Sequence, residues 1–275
     1  MDFSVLMSVY GKDEAEYFRV ALESVSILQT QKPTQIVIVQ DGPVPEQIDL
    51  IIETLKKRTP EITYTVIKKE KNAGLAAALN TGLAACENDL VARMDSDDIS
   101  APDRFEKQIA YFKQHPYVSV MGGAIAEFAS KIGDMDSVRQ VGLTHEEIRE
   151  MAMSRSPMNH VSVMFRKAVV DNVGGYSENF GKLEDYKLWV DLMSAGAVFA
   201  NLKDVFVYVR IGNGFLQRRS NRQEIKDWDM LQTYLLKSHL ITKRKAWINR
   251  IYIRAFIYMP AWMKKAAYKL FLRRG

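Results

Sequence analysis

Leu90-Val91-Ala92-Arg93-Met94-Asp95-Ser96-Asp97-Asp98 reads as a short apolar strand that stops in a turn carrying three carboxylates. The run is too short for a buried helix, and acids crowd its carboxyl end. In open parallel sheets ligands bind beyond the carboxyl ends of the strands, so this turn is a candidate site from its position alone. Clustered carboxylate oxygens suit a hard divalent cation, Mg²⁺ or Mn²⁺, that also holds a diphosphate. A solvated acidic turn, or an N-cap for a helix beginning near Pro102, explains the same residues on local grounds.

Working outward, apolar runs alternate with amphipathic segments, as expected of β-α units with parallel strands. Strands are expected over Phe3 to Tyr10, Gln35 to Gln40, Ile62 to Lys68, Leu90 to Met94 and Val118 to Met121. The helices between them are expected over Ala15 to Leu28, Pro45 to Thr59, Ala73 to Ala85 and Pro102 to His115. After Gly122-Gly123 the rhythm gives way to a loop-rich stretch, a helix near His145 to Arg155, a strand Val161 to Arg166 and a helix Asp185 to Ser194. The fold class is therefore α/β, a Rossmann-like, mostly parallel sheet flanked by helices. A length of 275 residues allows one such domain with a small appendage.

Three further segments fall at strand or helix ends. Asp41 ends the strand Ile36-Val37-Ile38-Val39-Gln40 and precedes Gly42-Pro43; it could accept a hydrogen bond from a base or ribose, or simply close an Asx turn. Asn72-Ala73-Gly74 opens a helix rich in small residues, offering backbone amides to an anion, though Asn72 could equally cap that helix. Glu184-Asp185 begins an amphipathic helix. There the helix dipole should favour ionisation and lower both pKa values, and the pair reads either as a general base or as ordinary acidic capping.

Taken in order, these motifs resemble the inverting glycosyltransferases of family 2, which have the GT-A fold, and especially the bacterial enzymes of amylovoran, O-antigen and capsule assembly. The resemblance covers roughly residues 3 to 215. It rests on Ser8-Val9-Tyr10, Gln40-Asp41-Gly42, Asn72-Ala73-Gly74, Ala78-Leu79-Asn80-Thr81-Gly82, Arg93-Met94-Asp95-Ser96-Asp97-Asp98, Gly174-Gly175-Tyr176 and Glu184-Asp185 with Leu188-Trp189. It implies a nucleotide-binding half over 1–122, an acceptor half over 123–215 and a helical extension over 216–275. It also implies a UDP-sugar donor contacted by Val9, Tyr10, Asp41, Asn72, Gly74, Arg93, Asp95 and Ser96, and a cation, Mn²⁺ or Mg²⁺, at Asp95 and Asp97. Asp185 would be the base. A lipid-linked saccharide would meet His160, Gly175, Tyr176 and Glu184, although a histidine before a strand also fits a purely structural role. One base and no covalent intermediate imply inversion at the anomeric carbon.

Charge divides the chain. The last acid is Asp229 and eleven Lys and Arg follow it, so the basic balance of +5 resides in the tail. From Ile248 the positions Ile251, Tyr252, Ala255, Met259, Trp262, Met263, Ala266 and Leu270 keep helical spacing, with Arg250, Arg254, Lys264, Lys265 and Lys269 largely opposite and Pro260 expected to kink the helix. That composition suits a helix lying on an anionic membrane, or one packed on the body or another subunit. No run of 18 apolar residues is present to span a bilayer, and the N-terminus lacks a basic leader. A single cysteine, Cys86, excludes an internal disulfide and a cysteine-held zinc. The expected location is the cytoplasmic side of the cell membrane, with peripheral attachment.

Rival functions lack their signatures. A sugar-nucleotide nucleotidyltransferase would need a Gly-rich, Arg-containing phosphate loop where Tyr10-Gly11-Lys12 stands, and no GxGxxG follows the first strand as a dehydrogenase requires. Nucleic-acid binding has only the basic tail in its favour, with no zinc-finger spacing and no RNP-like strand. Gln217-Arg218-Arg219 lacks the Trp and spacing of the QxxRW loop of processive relatives. A sugar-nucleotide-binding protein without turnover is the remaining alternative.

Overall fold

The computed structural model describes residues 1–211, 222–260 and Met263. Strand β1 (Phe3–Val9), helix α1 (Ala15–Val25), β2 (Gln35–Gln40), α2 (Glu46–Arg58), β3 (Thr63–Lys68), α3 (Leu75–Ala85) and β4 (Leu90–Met94) form the first half. Their strands are parallel in the order β3-β2-β1-β4. Helices cover both faces, so β2 and β4 are buried along their whole length, which is why they read as unbroken apolar runs rather than alternating ones.

A two-residue strand β5 (Ile99–Ser100) and helix α4 (Arg104–Gln114) lead into β6 (Val120–Phe128), β7 (Val138–Arg139), α5 (His145–Ala152), β8 (Met164–Arg166), α6 (Lys167–Asn172), α7 (Glu184–Ser194) and β9 (Phe199–Arg210). β8 lies antiparallel between β4 and β6, and β9 runs parallel to β6, so the described strands make one continuous sheet. Fully buried Arg104 binds this junction together. Its guanidinium donates to the Arg93 carbonyl at 2.9 Å, the Val163 carbonyl at 3.2 Å and Gln108 Oε1 at 3.1 Å. Burial, with Arg93 nearby, pushes Arg104 down to about 9.

Two expectations fail here for physical reasons. Gly122 and Gly123 do not end a strand but lie inside β6, and the change of rhythm comes after Phe128. At Gly123 an added Cβ would stand 2.5 Å from the Phe206 ring, so the missing side chain lets β9 lay that ring against β6. β9 itself escaped the sequence reading because Asn201-Leu202-Lys203-Asp204 interrupts its apolar pattern, and the register with β6 shifts at that point. The expected strand start at Val161 is instead a 3₁₀ turn over His160–Ser162, closed by the Ser162 amide and hydroxyl on the Asn159 carbonyl.

Helices α8 (Arg222–Lys237) and α9 (Lys243–Tyr258) make the extension. α8 buries Leu231 and Leu235 against Phe180, Tyr186 and Val190, while Asn249 of α9 donates to the Met153 carbonyl and to Gln232 Oε1, both at 2.8 Å. The extension is thus packed on α7 rather than free. Pro260 ends α9 instead of kinking it, because the preceding Met259 is driven to extended backbone. Trp262, Lys264, Lys265, Ala266, Lys269 and Leu270, the 215/216 boundary and Gln217-Arg218-Arg219 lie outside the described residues. Among the described residues no helix is long and apolar enough to cross a membrane.

Candidate active site

The loops after β1, β2, β3 and β4 emerge side by side at the carboxyl end of the parallel strands. Asp41, just past β2, is almost fully buried. It accepts hydrogen bonds from the Ala73 amide at 3.0 Å and the Gly74 amide at 2.9 Å, and pairs with Lys69 at 3.1 Å. Asn72 Nδ2 donates to the Asp41 carbonyl at 3.2 Å, so Asn72 does not cap α3; the cap position is Gly74, at φ 91°. Gly42, at φ 88°, permits this closeness, since a Cβ there would stand 2.7 Å from the Asn72 amide nitrogen. Asp41, Asn72 and Gly74 are therefore one assembly. Val9 sits in the core beneath it, while Tyr10 is exposed at the rim.

Beside this assembly is a cluster of acids. Asp13 accepts from Ser96 Oγ at 2.7 Å and from the Tyr10 amide at 3.1 Å. Burial raises its pKa, with Asp95 adding to the rise. Asp97 stays accessible, yet desolvation and then the charges of Asp95 and Asp13 bring it up to about 6. Asp98 is buried and held well above the ordinary carboxylate range by desolvation and its two acidic neighbours; its Oδ1 accepts from the Arg210 amide at 2.9 Å. Asp98 thus braces the turn to β9, and Arg210 stacks its guanidinium 3.8 Å above the Tyr17 ring. Asp13 was missed in the sequence, where its only signal was a carboxylate on the turn after the first strand.

No group of three or more metal-ligating side chains is assembled among the described residues. The donor set still fits a divalent ion of the Mg²⁺ type, which uses one or two carboxylates and completes its shell with substrate phosphates and water. The mutual repulsion that raises Asp97 is what such a cation would relieve.

Arg93 links this cluster to the second half. Its guanidinium is buried, ion-pairs with Asp95 and leaves Nε without a partner among the described residues. Its charge also acts on Asp97, Glu184, Asp185, His160 and Tyr176. Asp185, at the start of α7, accepts from Ser156 Oγ at 3.0 Å. The expected lowering of both acids by the helix dipole is reversed. Desolvation raises Asp185 above its ordinary value, and desolvation followed by the Asp185 charge lifts Glu184 to about 7. A one-turn dipole effect does not offset that degree of burial.

The remaining expected residues divide. His160 Nε2 meets Tyr176 Oη at 2.9 Å, and its ring packs against those of Tyr176 and Trp189. Burial, then the Arg93 charge, depress its pKa well below the usual histidine value, so it stays neutral. Tyr176 is buried, with its backbone clamped to the Asn80 amide group, and Gly175 at φ 74° would clash with Asn80 Oδ1 if it carried a Cβ. Residues 175 and 176 therefore tie α3 to the second half of the chain rather than present Tyr176 at a surface.

Residues 4–174 match the family described as Glycosyl transferase family 2. The chain belongs to glycosyl transferase family 2. It is 39% identical over 235 residues to the amylovoran biosynthesis glycosyltransferase AmsE of Erwinia amylovora, covering 86% of this chain and 85% of that one. It is 31% identical over 275 residues to an Escherichia coli enzyme named UDP-Gal:alpha-D-GlcNAc-diphosphoundecaprenol beta-1,3-galactosyltransferase, covering 99% and 97%. Its fold is the GT-A fold of S. aureus TarS 1–349, solved with UDP-GlcNAc, at a TM-score of 0.69 and 17% identity over 99% of this chain and 76% of that one.

In this family 2 glycosyltransferase, Glu184 gives a direct test of the buried acid pair. Its Oε2 is buried without a hydrogen-bond partner among the described residues. A folded pKa of about 7, against an ordinary 4.5, means that the native state binds more protons than the unfolded chain within that window, so stability falls as pH rises through it. Glu184→Gln removes this cost. Relative to wild type the variant should gain on the order of 1–3 kcal/mol between pH 5 and pH 8, read by thermal unfolding at both values. Parallel pH dependence in the two proteins would show that Glu184 titrates normally.

Proposed function

We propose that the chain is a metal-dependent, inverting glycosyltransferase that moves a sugar from a UDP-linked donor to a hydroxyl of a lipid-diphosphate-linked saccharide, in bacterial surface polysaccharide assembly on the cytoplasmic face of the membrane. One observation carries the reading: the charge of the buried Arg93 guanidinium, which ion-pairs with Asp95, also acts on Asp97, Glu184 and Asp185, and Glu184 feels Asp95 as well. Acids up to 90 residues apart in the chain thus couple to one buried cation, which supports a shared site. The names of the relatives support the substrate class.

Asp185 accepts the proton of the acceptor hydroxyl as its oxygen attacks the anomeric carbon; the bond from that carbon to the diphosphate breaks, and nucleoside diphosphate departs. A cation held by Asp95 and Asp97 would supply charge neutralisation at that diphosphate. Tyr10 offers an exposed ring to the base, and Asp41 holds the Ala73 and Gly74 amides and so shapes the 72–74 loop that lines the nucleotide pocket. An α-linked donor yields a β-glycoside. Glu184 and Gly175 bound the acceptor side, whereas His160 and Tyr176 hold its wall from within.

The test is a panel of nucleotide sugars with Mn²⁺ or Mg²⁺ and a short-chain polyprenyl diphosphate saccharide, followed by release of nucleoside diphosphate. Release that needs both one donor and the acceptor is expected. Binding without turnover across a broad acceptor panel would favour a sugar-nucleotide-binding protein instead.

A further inference from the structure

The exposed face of α9 has two features that its own chain leaves unanswered. Trp247, Ile251 and Tyr258 fall at i, i+4 and i+11, on one side of the helix, and are 64%, 45% and 68% exposed; Tyr252, farther round the helix, is 71% exposed. The first turn of the same helix is Lys243-Arg244-Lys245, with no acid. Cations there oppose the positive end of the helix dipole, and the Thr242 side chain caps the turn by accepting from the Lys245 amide at 3.2 Å. None of these three cations has an ion pair among the described residues.

Arg250 and Arg254 differ. Both pair with Asp229 of α8, Arg254 at 2.6 Å, so they bind the two helices together and are not free for an outside partner. The unpaired charge is concentrated at the N-terminal turn, next to the aromatic stripe and continuous with a sequence that has no acid after Asp229.

We infer that this face is a docking surface for an anionic bilayer, with Lys243 and Arg244 on lipid phosphates and Trp247, Ile251 and Tyr258 in the headgroup layer. Indole and phenol rings prefer that layer, where the ring is desolvated and its polar edge stays wet. A second copy of this face would cover the stripe but bring no acid to the Lys243 and Arg244 charges, since α9 carries none. The inference deepens the proposed function, resting on its lipid-linked acceptor, and locates the attachment on described residues rather than on the tail beyond them.

The experiment uses the full chain in flotation with vesicles of phosphatidylcholine alone or with about 30% phosphatidylglycerol. The wild type should float with the anionic vesicles and remain below with the neutral ones. Removing one interfacial charge weakens such binding about fivefold, so Lys243→Gln with Arg244→Gln should weaken it roughly twentyfold or more. Trp247→Ser with Ile251→Ser should weaken it by about tenfold, and both pairs should leave UDP-sugar binding unchanged. Equal flotation with both vesicle types, or unchanged flotation of either double variant, would overturn the inference. So would a dimer in solution that Trp247→Ser converts to monomer, since the stripe would then belong to a subunit contact. Transfer to a water-soluble acceptor, assayed without vesicles, separates the two readings: turnover without flotation sinks only the docking surface, and flotation without turnover sinks only the transferase mechanism.

Discussion

Asp185→Asn is expected to slow sugar transfer by a factor on the order of 10² to 10⁴ while leaving donor affinity nearly unchanged. The substitution keeps the shape of the side chain and its contact with Ser156 Oγ, so it removes basicity and little else. Burial has already moved the Asp185 carboxylate upward, towards the pH at which a general base works best, and the rate should therefore fall as pH drops through that raised value. Because the proton moves only during attack, kcat should carry the loss and KM for the donor should not. The measurement is steady-state release of nucleoside diphosphate at saturating acceptor, beside calorimetric donor binding. A variant retaining more than a tenth of the wild-type kcat would exclude Asp185 as the base and turn attention to Glu184, the other buried acid of the pair.

The parallel half was legible because its residues obey one rule at a time. β2 is apolar at every central position since helices cover both its faces, and the turns at Asp41 and Asp95 interrupt that pattern where the strands end. The second half was less legible because its strands are set by partners distant in sequence. β9 owes its length to pairing with β6, and its polar interruption at Asn201–Asp204 is accommodated by a shift of register that no local pattern announces. Glycines misled for the same reason. Gly122 and Gly123 look like a turn and are strand positions chosen for what packs on them, Phe206 above all.

At the site, residue identity was legible and ionisation was not. The sequence places Glu184 and Asp185 at a helix start and so suggests lowered pKa values, whereas burial beneath the second half raises both. In the sequence His160 reads as an acceptor contact or a structural residue; packed against Tyr176 and Trp189, it is held neutral by burial and the Arg93 charge. Asp13 joins the acid cluster only because the β1 loop folds back onto Ser96. Desolvation is a property of the assembled core, which the sequence pattern does not report.

The acid cluster makes the second large prediction. Chelating divalent cations should slow transfer by roughly 10²-fold or more, and Asp95→Asn or Asp97→Asn should do the same with the cation present. Ligation needs ionised carboxylates, so binding competes with protons. With Asp97 near 6, the cation concentration for half-activation should rise as pH falls from 7 to 5. Asp13 sharpens the test, because its charge is one of the causes of that raised value and it stands outside the proposed ligand pair. Asp13→Asn should bring Asp97 down and shift the half-activation curve towards lower pH, even if the variant is less stable overall. The shift can be read without turnover, as the rise in melting temperature with Mn²⁺ and UDP at pH 5.5 compared with pH 7.5. Should chelation leave both rate and melting temperature unaltered, Asp95 and Asp97 would have to serve the donor by hydrogen bonds alone, and the metal-dependent reading would fall.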